Sequence, residues 1–160
     1  MTSVMQINVD SGLSASIASA LAAGLLSLSL LSGCAGDAHE GINPRDAAQV
    51  AAGERVYRTY CAVCHGAELE GQPEWRRRLP SGRLPAPPHD DTGHTWHHAN
   101  AELIAMVRHG MVPPLAPEGY ESDMPAYADI LTDDEIRAVL AFIQSRWSDE
   151  VWALRRQMRH

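Results

Sequence analysis

Three stretches of the chain repeat apolar residues at helical spacing. Val50, Gly53, Tyr57 and Tyr60 recur at three- and four-residue steps. Leu103, Ile104 and Val107 do so between Asn100 and His109, and Ile136, Val139, Leu140, Ile143 and Trp147 make the longest stripe. The first pattern predicts a helix from Asn43-Pro44 to about Tyr60, with Asn43 as cap, Pro44 at the first helical position and Asp46 in the first turn. The second predicts a helix over Asn100 to His109, with Gly110 as its stop and Met106 in the core. The third opens on Thr132-Asp133-Asp134-Glu135, a capping box with extra acid at the positive helix end, and runs to about Trp147. No segment calls for a strand, so the expected fold class is all-α.

The rest of the chain departs from that pattern in three places. Residues 66 to 99 show neither period, and nine of the ten prolines fall between Pro73 and Pro125, which predicts a long irregular loop. Residues 12 to 33 are uncharged, rich in Ala, Ser, Gly and Leu, and read as the core of an export signal. The signal ends in Leu31-Ser32-Gly33-Cys34, which resembles the bacterial lipobox, so Cys34 is expected to carry the acyl chains that tether the mature protein to a membrane. The competing reading is a plain secretory signal cut near Ala35-Gly36, leaving a soluble periplasmic protein; the first basic residue, Arg45, also lies later than a signal normally has it. The expected organisation is a signal segment over 1–33, a lipidated Cys and polar tether over 34–43, a domain over 44–147 and a tail over 148–160. The tail predicts a short amphipathic helix packed on the domain, with Val151, Trp152 and Met158 opposite Arg155, Arg156 and Arg159.

Composition narrows the function classes. The 160 residues include 13 basic ones, all Arg, against 20 acids, for a formal charge of -7. Basic residues cluster only at Arg76 to Arg78, Arg83 and the tail, so no nucleic-acid partner is expected. With 45% apolar residues the chain is not disordered, and the one long apolar run, Ile17 to Leu31, is short for a spanning helix.

The chemistry lies in Cys61-Ala62-Val63-Cys64-His65, a C-x-x-C-H attachment motif for haem c. Its two thiols add to the haem vinyl groups as thioethers, and its His ligates the iron. A redox dithiol wants a preceding strand, and a zinc site wants a second Cys/His pair; the chain offers neither. With this motif at the end of a helix, the chain resembles the class I, single-haem cytochromes c over nearly all of residues 44 to 147. The resemblance implies that fold: about three main helices and long loops wrapped around one covalent haem. It implies that Gly53 lets the last helix cross closely, and that Val139 and Phe142 pack on Gly53 and Tyr57. It also implies an axial Met in a loop before the last helix and followed by Pro, which is Met124 in Ser122-Asp123-Met124-Pro125. Met111 or a His remains open as the ligand.

Several other residues are candidates around the haem. One of Pro85, Pro87 and Pro88 is expected to accept the His65 Nδ1 proton through its carbonyl. Trp75, Arg76 to Arg78, Arg83 and Trp96 are candidate propionate partners, or else a solvated basic turn. His89, His94, His97 and His98 crowd ten residues; a copper or zinc site is the sharp reading and a loop that structures the haem surround the bland one.

Residues 118 to 135 hold Glu118, Glu121, Asp123, Asp129, Asp133, Asp134 and Glu135 with no basic residue, so a redox partner's docking patch is expected to be basic. The expected function is single-electron transfer between membrane-associated redox proteins, on the periplasmic side of a bacterial membrane and without catalysis. Two alternatives stand: a haem enzyme or gas sensor with a labile sixth ligand, and an electron-entry subunit of a dehydrogenase or oxidase.

Overall fold

Helix α1 spans Ala47–Val56 in the computed structural model of the protein, which describes residues 41–158. Its cap is Asp46, whose Oδ1 accepts from the Ala48 and Gln49 amides at 2.9 and 3.2 Å. The start expected at Asn43 is thus corrected by three residues: Asn43 Oδ1 accepts from Arg45 N at 3.0 Å and closes a turn at Pro44 ahead of the helix. Beyond Val56 the helix widens into one π turn, Tyr57–Cys61, and resumes as α2, Ala62–His65. The helical path therefore runs past Tyr60 to the end of the attachment motif, and stops at Gly66 with φ 81°.

Helix α3, Asn100–His109, has the expected bounds and ends at Gly110 with φ 73°. Helix α4, Asp133–Gln144, opens on the expected capping box: Thr132 Oγ1 accepts from Glu135 N at 3.3 Å, and Glu135 Oε2 accepts from Thr132 N at 2.9 Å. It ends three residues before Trp147. The Ser145 hydroxyl donates to Phe142 O at 2.7 Å, and the last turn tightens to three-residue bonds such as Arg146 N to Ile143 O at 3.1 Å. Ser148 then caps a further helix, α5, Asp149–Gln157, through a 3.3 Å bond from Val151 N.

Helices α1 and α4 cross in backbone contact. A Cβ on Gly53 would fall 1.9 Å from Ala138 O and 2.9 Å from Phe142 Cβ, so no side chain is tolerated there. Tyr57 and Phe142 pack beside the crossing, ring centroids 5.3 Å apart, and both are fully buried. The partner of Gly53 is therefore Ala138 with Phe142; Val139, expected there, is one helical step round and faces the cavity described below. Each large side chain buried in this core contributes about 1.5–3 kcal/mol.

The tail packs on the domain as expected, with Val151 buried and Trp152 against Trp147 at 5.4 Å. Its polar face is corrected at one position. Arg155 is buried, donating through Nη1 to Trp96 O and His98 O at 2.7 and 2.5 Å and through Nη2 to Asn100 Oδ1 at 2.8 Å. Among the described residues there is no strand, and no helix is long and apolar enough to cross a membrane. Cys34, the signal segment and most of the tether lie outside the described residues, as does Arg159.

Candidate functional site

The end of α2 builds the first wall of the site. His65 is buried, and its Nδ1 donates to the carbonyl of Pro87 at 2.8 Å, which selects Pro87 among the three candidates. That bond fixes the tautomer: Nδ1 keeps the proton and Nε2 keeps a free electron pair. Burial holds the imidazole below its ordinary pKa despite the opposing effect of the Pro87 bond, so His65 is neutral at pH 7. Cys61 is pushed up to about 12, by burial first and then by Cys64. A raised thiol pKa at Cys61 runs opposite to the lowered one of an activated redox cysteine.

Loop 66–99 closes over His65 through backbone bonds. Gly71 N donates to His65 O at 2.8 Å, His89 N to Leu69 O at 2.8 Å, and Gln72 N to Ala86 O at 2.9 Å. Trp147 anchors it from the far side, its indole N–H donating to His89 O at 2.9 Å. The His89 ring then lies against His65, centroids 4.0 Å apart and planes 22° from parallel, and its Nδ1 meets Thr95 Oγ1 at 2.8 Å. Burial holds His89 well below the ordinary histidine range, and the neighbouring imidazoles of His65 and His94 lower it further. Four histidines in ten residues gave no sequence signal by which to choose this one.

The second wall comes from α3, α4 and the loop between them. Met106, expected in the core, faces the cavity with Met111 and Met124, so three thioethers line it. The Met124 loop is fastened to the end of α3: Tyr127 N donates to Val107 O at 3.1 Å and Ala128 N to Arg108 O at 3.0 Å. Ser122 Oγ accepts from Met124 N at 3.1 Å, and Tyr127 OH reaches back to Tyr60 O at 2.9 Å. Arg83 ties the long loop to the same segment, bonded to Asp123 and 3.6 Å from Glu121.

Between these walls lies a cavity of about 280 Å³, into which Cys61, Cys64, His65 and Met124 all face. A single water needs only about 10–15 Å³ by the same measure, so the space suits a whole organic group. Apolar side chains such as Leu103, Val107, Val139 and Leu140 make most of its wall. Two thiols, one imidazole lone pair and a thioether converging on an apolar cleft are the donor set a covalent haem requires, so the residues present fit it. Trp96, expected as a propionate partner, does not line this cavity, and its buried Nε1 has no acceptor among the described residues.

The other candidates divide. Of the expected propionate partners, Trp75 lines the cavity. Arg83 is committed to Asp123 and Glu121, Arg76 lies 4.0 Å from the Trp75 ring centroid, and Arg78 donates to Gly82 O at 2.6 Å. His89, His94 and His98 line the cavity, while the His97 ring lies 3.8 Å from that of Trp96 and tilted 42° to it. No three His, Cys, Asp or Glu among the described residues are placed to hold a metal ion, so the copper or zinc reading finds no site. The acidic run is partly neutralised: Arg83 takes Glu121 and Asp123, Arg108 takes Asp133 at 2.5 Å, and Arg137 lies 3.5 Å from Asp134.

Comparison with known proteins agrees with this geometry. The cytochrome c family profile matches residues 50–147. The chain is 26% identical over 96 residues to a cbb3-type cytochrome c oxidase subunit FixP of Sinorhizobium medicae (strain WSM419), an alignment covering 60% of this chain and 29% of that one. The chain thus spans less than a third of that relative's length. No solved structure matches it.

Proposed function

The chain belongs to the cytochrome c family, and from that premise we propose that it is a single-electron carrier with one haem c. In this reading Cys61 and Cys64 fix the ring by thioethers, each S–H adding across a vinyl double bond. His65 binds the iron through Nε2 and Met124 through its sulfur. Bound haem supplies one iron that alternates between ferrous and ferric states, and no substrate bond is made or broken.

The chain's own residues do the rest. Pro87 O holds the His65 ring by its Nδ1 proton, and the His89 ring limits its rotation. The wall of Leu103, Val107, Val139 and Leu140 excludes water, which lowers the reorganisation that accompanies electron transfer. Met124 is preferred over Met111 and Met106 because its backbone is held by Ser122 Oγ and followed by Pro125, which fixes the local angle. The soft thioether favours the ferrous state and raises the midpoint potential.

The observation that carries this reading is the single apolar cavity taking both Cys, the Pro87-held His65 and Met124. The signal-like segment and the lipobox-like Leu31-Ser32-Gly33-Cys34 support a location on the periplasmic side of a bacterial membrane, with a lipid tether at Cys34. Its partners are redox proteins with a basic docking patch, opposite Glu118, Glu121, Asp123 and Asp129. A second reading, an electron-entry subunit of an oxidase complex, draws on the similarity to the FixP oxidase subunit.

The test is the absorption spectrum of protein matured in a periplasm, ferric and then ferrous with and without carbon monoxide, in wild type and Met124→Ala. A thioether-to-ferric-iron band lost in the variant, with no carbon monoxide shift in wild type, is expected. Carbon monoxide binding by wild type would overturn the closed His/Met site in favour of a ligand-binding haem protein. Stable co-purification with an oxidase from detergent-solubilised membranes would select the subunit reading.

A further inference from the structure

Part of the cavity wall carries a cluster that the carrier reading leaves unused. His94 and His98 both face the cavity, ring centroids 5.5 Å apart and edge to face. His94 lies flat on Trp75, at 5.2 Å and 8°, and the Arg76 guanidinium is 4.0 Å from the same indole. The short 3₁₀ turn Thr95–His97 between the two histidines carries Trp96, whose buried Nε1 finds no acceptor among the described residues.

The charges around His94 are mostly basic. Arg76, His97 and His98 come from its own loop and His89 from the interior. From α3, the Glu102 carboxylate lies 3.3 Å from His98 Nδ1. From α5, Arg155 holds the carbonyls of Trp96 and His98 at 2.7 and 2.5 Å, which fixes the turn. Burial first, then His98, His97 and Arg76, holds His94 below the ordinary histidine range. Such a group is relieved by an incoming anion.

Haem brings two carboxylates, on the edge away from its vinyl groups. With Cys61 and Cys64 taking the vinyl edge, the carboxylates need donors elsewhere on the wall. Asp123, which also lines the cavity, repels them and is already paired with Arg83. His65 is the ligand, and the His89 ring is stacked on it with Nδ1 at Thr95.

We propose that His94 and His98 receive the haem carboxylates, in place of the arginines of the same loop, and that the proton on His94 is linked to the oxidation state of the iron. The proposal rests on the haem-carrier reading. A carboxylate beside His94 favours its protonated form, while the added positive charge of the ferric state opposes it. His94 therefore releases its proton on oxidation and takes it back on reduction. The midpoint potential falls as pH rises through the interval between the ferric-state and ferrous-state values of the His94 pKa.

The experiment is a redox titration of the haem-loaded protein between pH 5 and 8, in wild type, His94→Gln, His98→Gln and His97→Gln. Wild type and His97→Gln are expected to show a potential that falls with pH. His94→Gln should give a flat profile. His98→Gln should move the inflection to higher pH, because a neighbour that opposes protonation of His94 is removed. A flat wild-type profile, or a slope unchanged in His94→Gln, overturns the proposal; the second result assigns the titration to the carboxylates or another group. A chain that matures without covalent haem overturns the carrier reading itself, whereas a loaded chain with a flat profile overturns only this inference.

Discussion

Gly53 on α1 and Ala138 on α4 meet backbone to backbone, so closely that a Cβ on Gly53 would lie 1.9 Å from the Ala138 carbonyl oxygen. No rotamer change relieves a contact with backbone, so the two helices would have to separate. Because α1 continues through Tyr57 into the attachment motif and α4 carries the Val139 side of the cavity, that separation would reach the site. Gly53→Ala should cost about 3 kcal/mol or more, although Ala is the better helix former by about 1 kcal/mol. Urea denaturation of the loaded protein measures this; a loss under about 1 kcal/mol would mean that the crossing is looser than described.

The capping box of α4 ties stability to pH. Glu135 accepts from the Thr132 amide and hydroxyl, at 2.9 Å each, and these bonds hold its carboxyl below the usual Glu range. A carboxylate whose folded pKa is depressed adds stability above its unfolded value, about 4.3, which is lost as pH falls through the folded value. Thr132→Ala should cost about 1 kcal/mol at pH 7. The gap from wild type should narrow as pH falls through the folded Glu135 value; a gap equally wide from pH 7 down to the acid unfolding of the protein would exclude the linkage.

Arg155 clamps the loop that lines the cavity. Replacement by Gln leaves the carbonyls of Trp96 and His98 and the Oδ1 of Asn100 without this donor, and should cost about 3 kcal/mol. Hydrogen exchange should quicken over residues 95–100 before it does in α1. Unchanged protection there would show that α5 is only docked on the loop and does not hold it.

Electron transfer to a partner should slow as ionic strength rises. Glu118 and Asp129 have no ion pair among the described residues, whereas Glu121 and Asp123 share Arg83 and Asp133 is bonded to Arg108. The steering field is therefore weaker than a count of acids suggests, but keeps its sign. Stopped-flow rates with the native partner at increasing salt check this; a flat dependence would point to an apolar docking face, and a rising one to a partner of like charge.

Much of this protein was set by local chemistry and was legible in the sequence. The attachment motif, the α3 bounds, the Thr132–Glu135 box and the close approach at Gly53 each depend on residues near in sequence or on spacings that the family shares. Where local signals competed, folding decided. Asp46 outbid Asn43 as the cap of α1 because Asn43 was already closing the turn at Pro44, and Ser145 ended α4 early by bonding Phe142 O. The partner of Gly53 is Ala138, not Val139, because a helix step of 100° turns neighbouring residues to different faces.

What only the tertiary structure decided lies in the loop and at its contacts. Pro85, Pro87 and Pro88 are equivalent as carbonyl acceptors in sequence, and the path of a loop without periodic bonds is set by what it wraps. The same holds for His89 against His65, for His94 and His98 at the cavity and for the burial of Arg155. Each of these residues is polar and would be placed on the surface by pattern alone. Their positions come from bonds to partners twenty or more residues away, such as His65 to Pro87, Trp147 to His89 and Arg155 to Trp96, which no local rule contains.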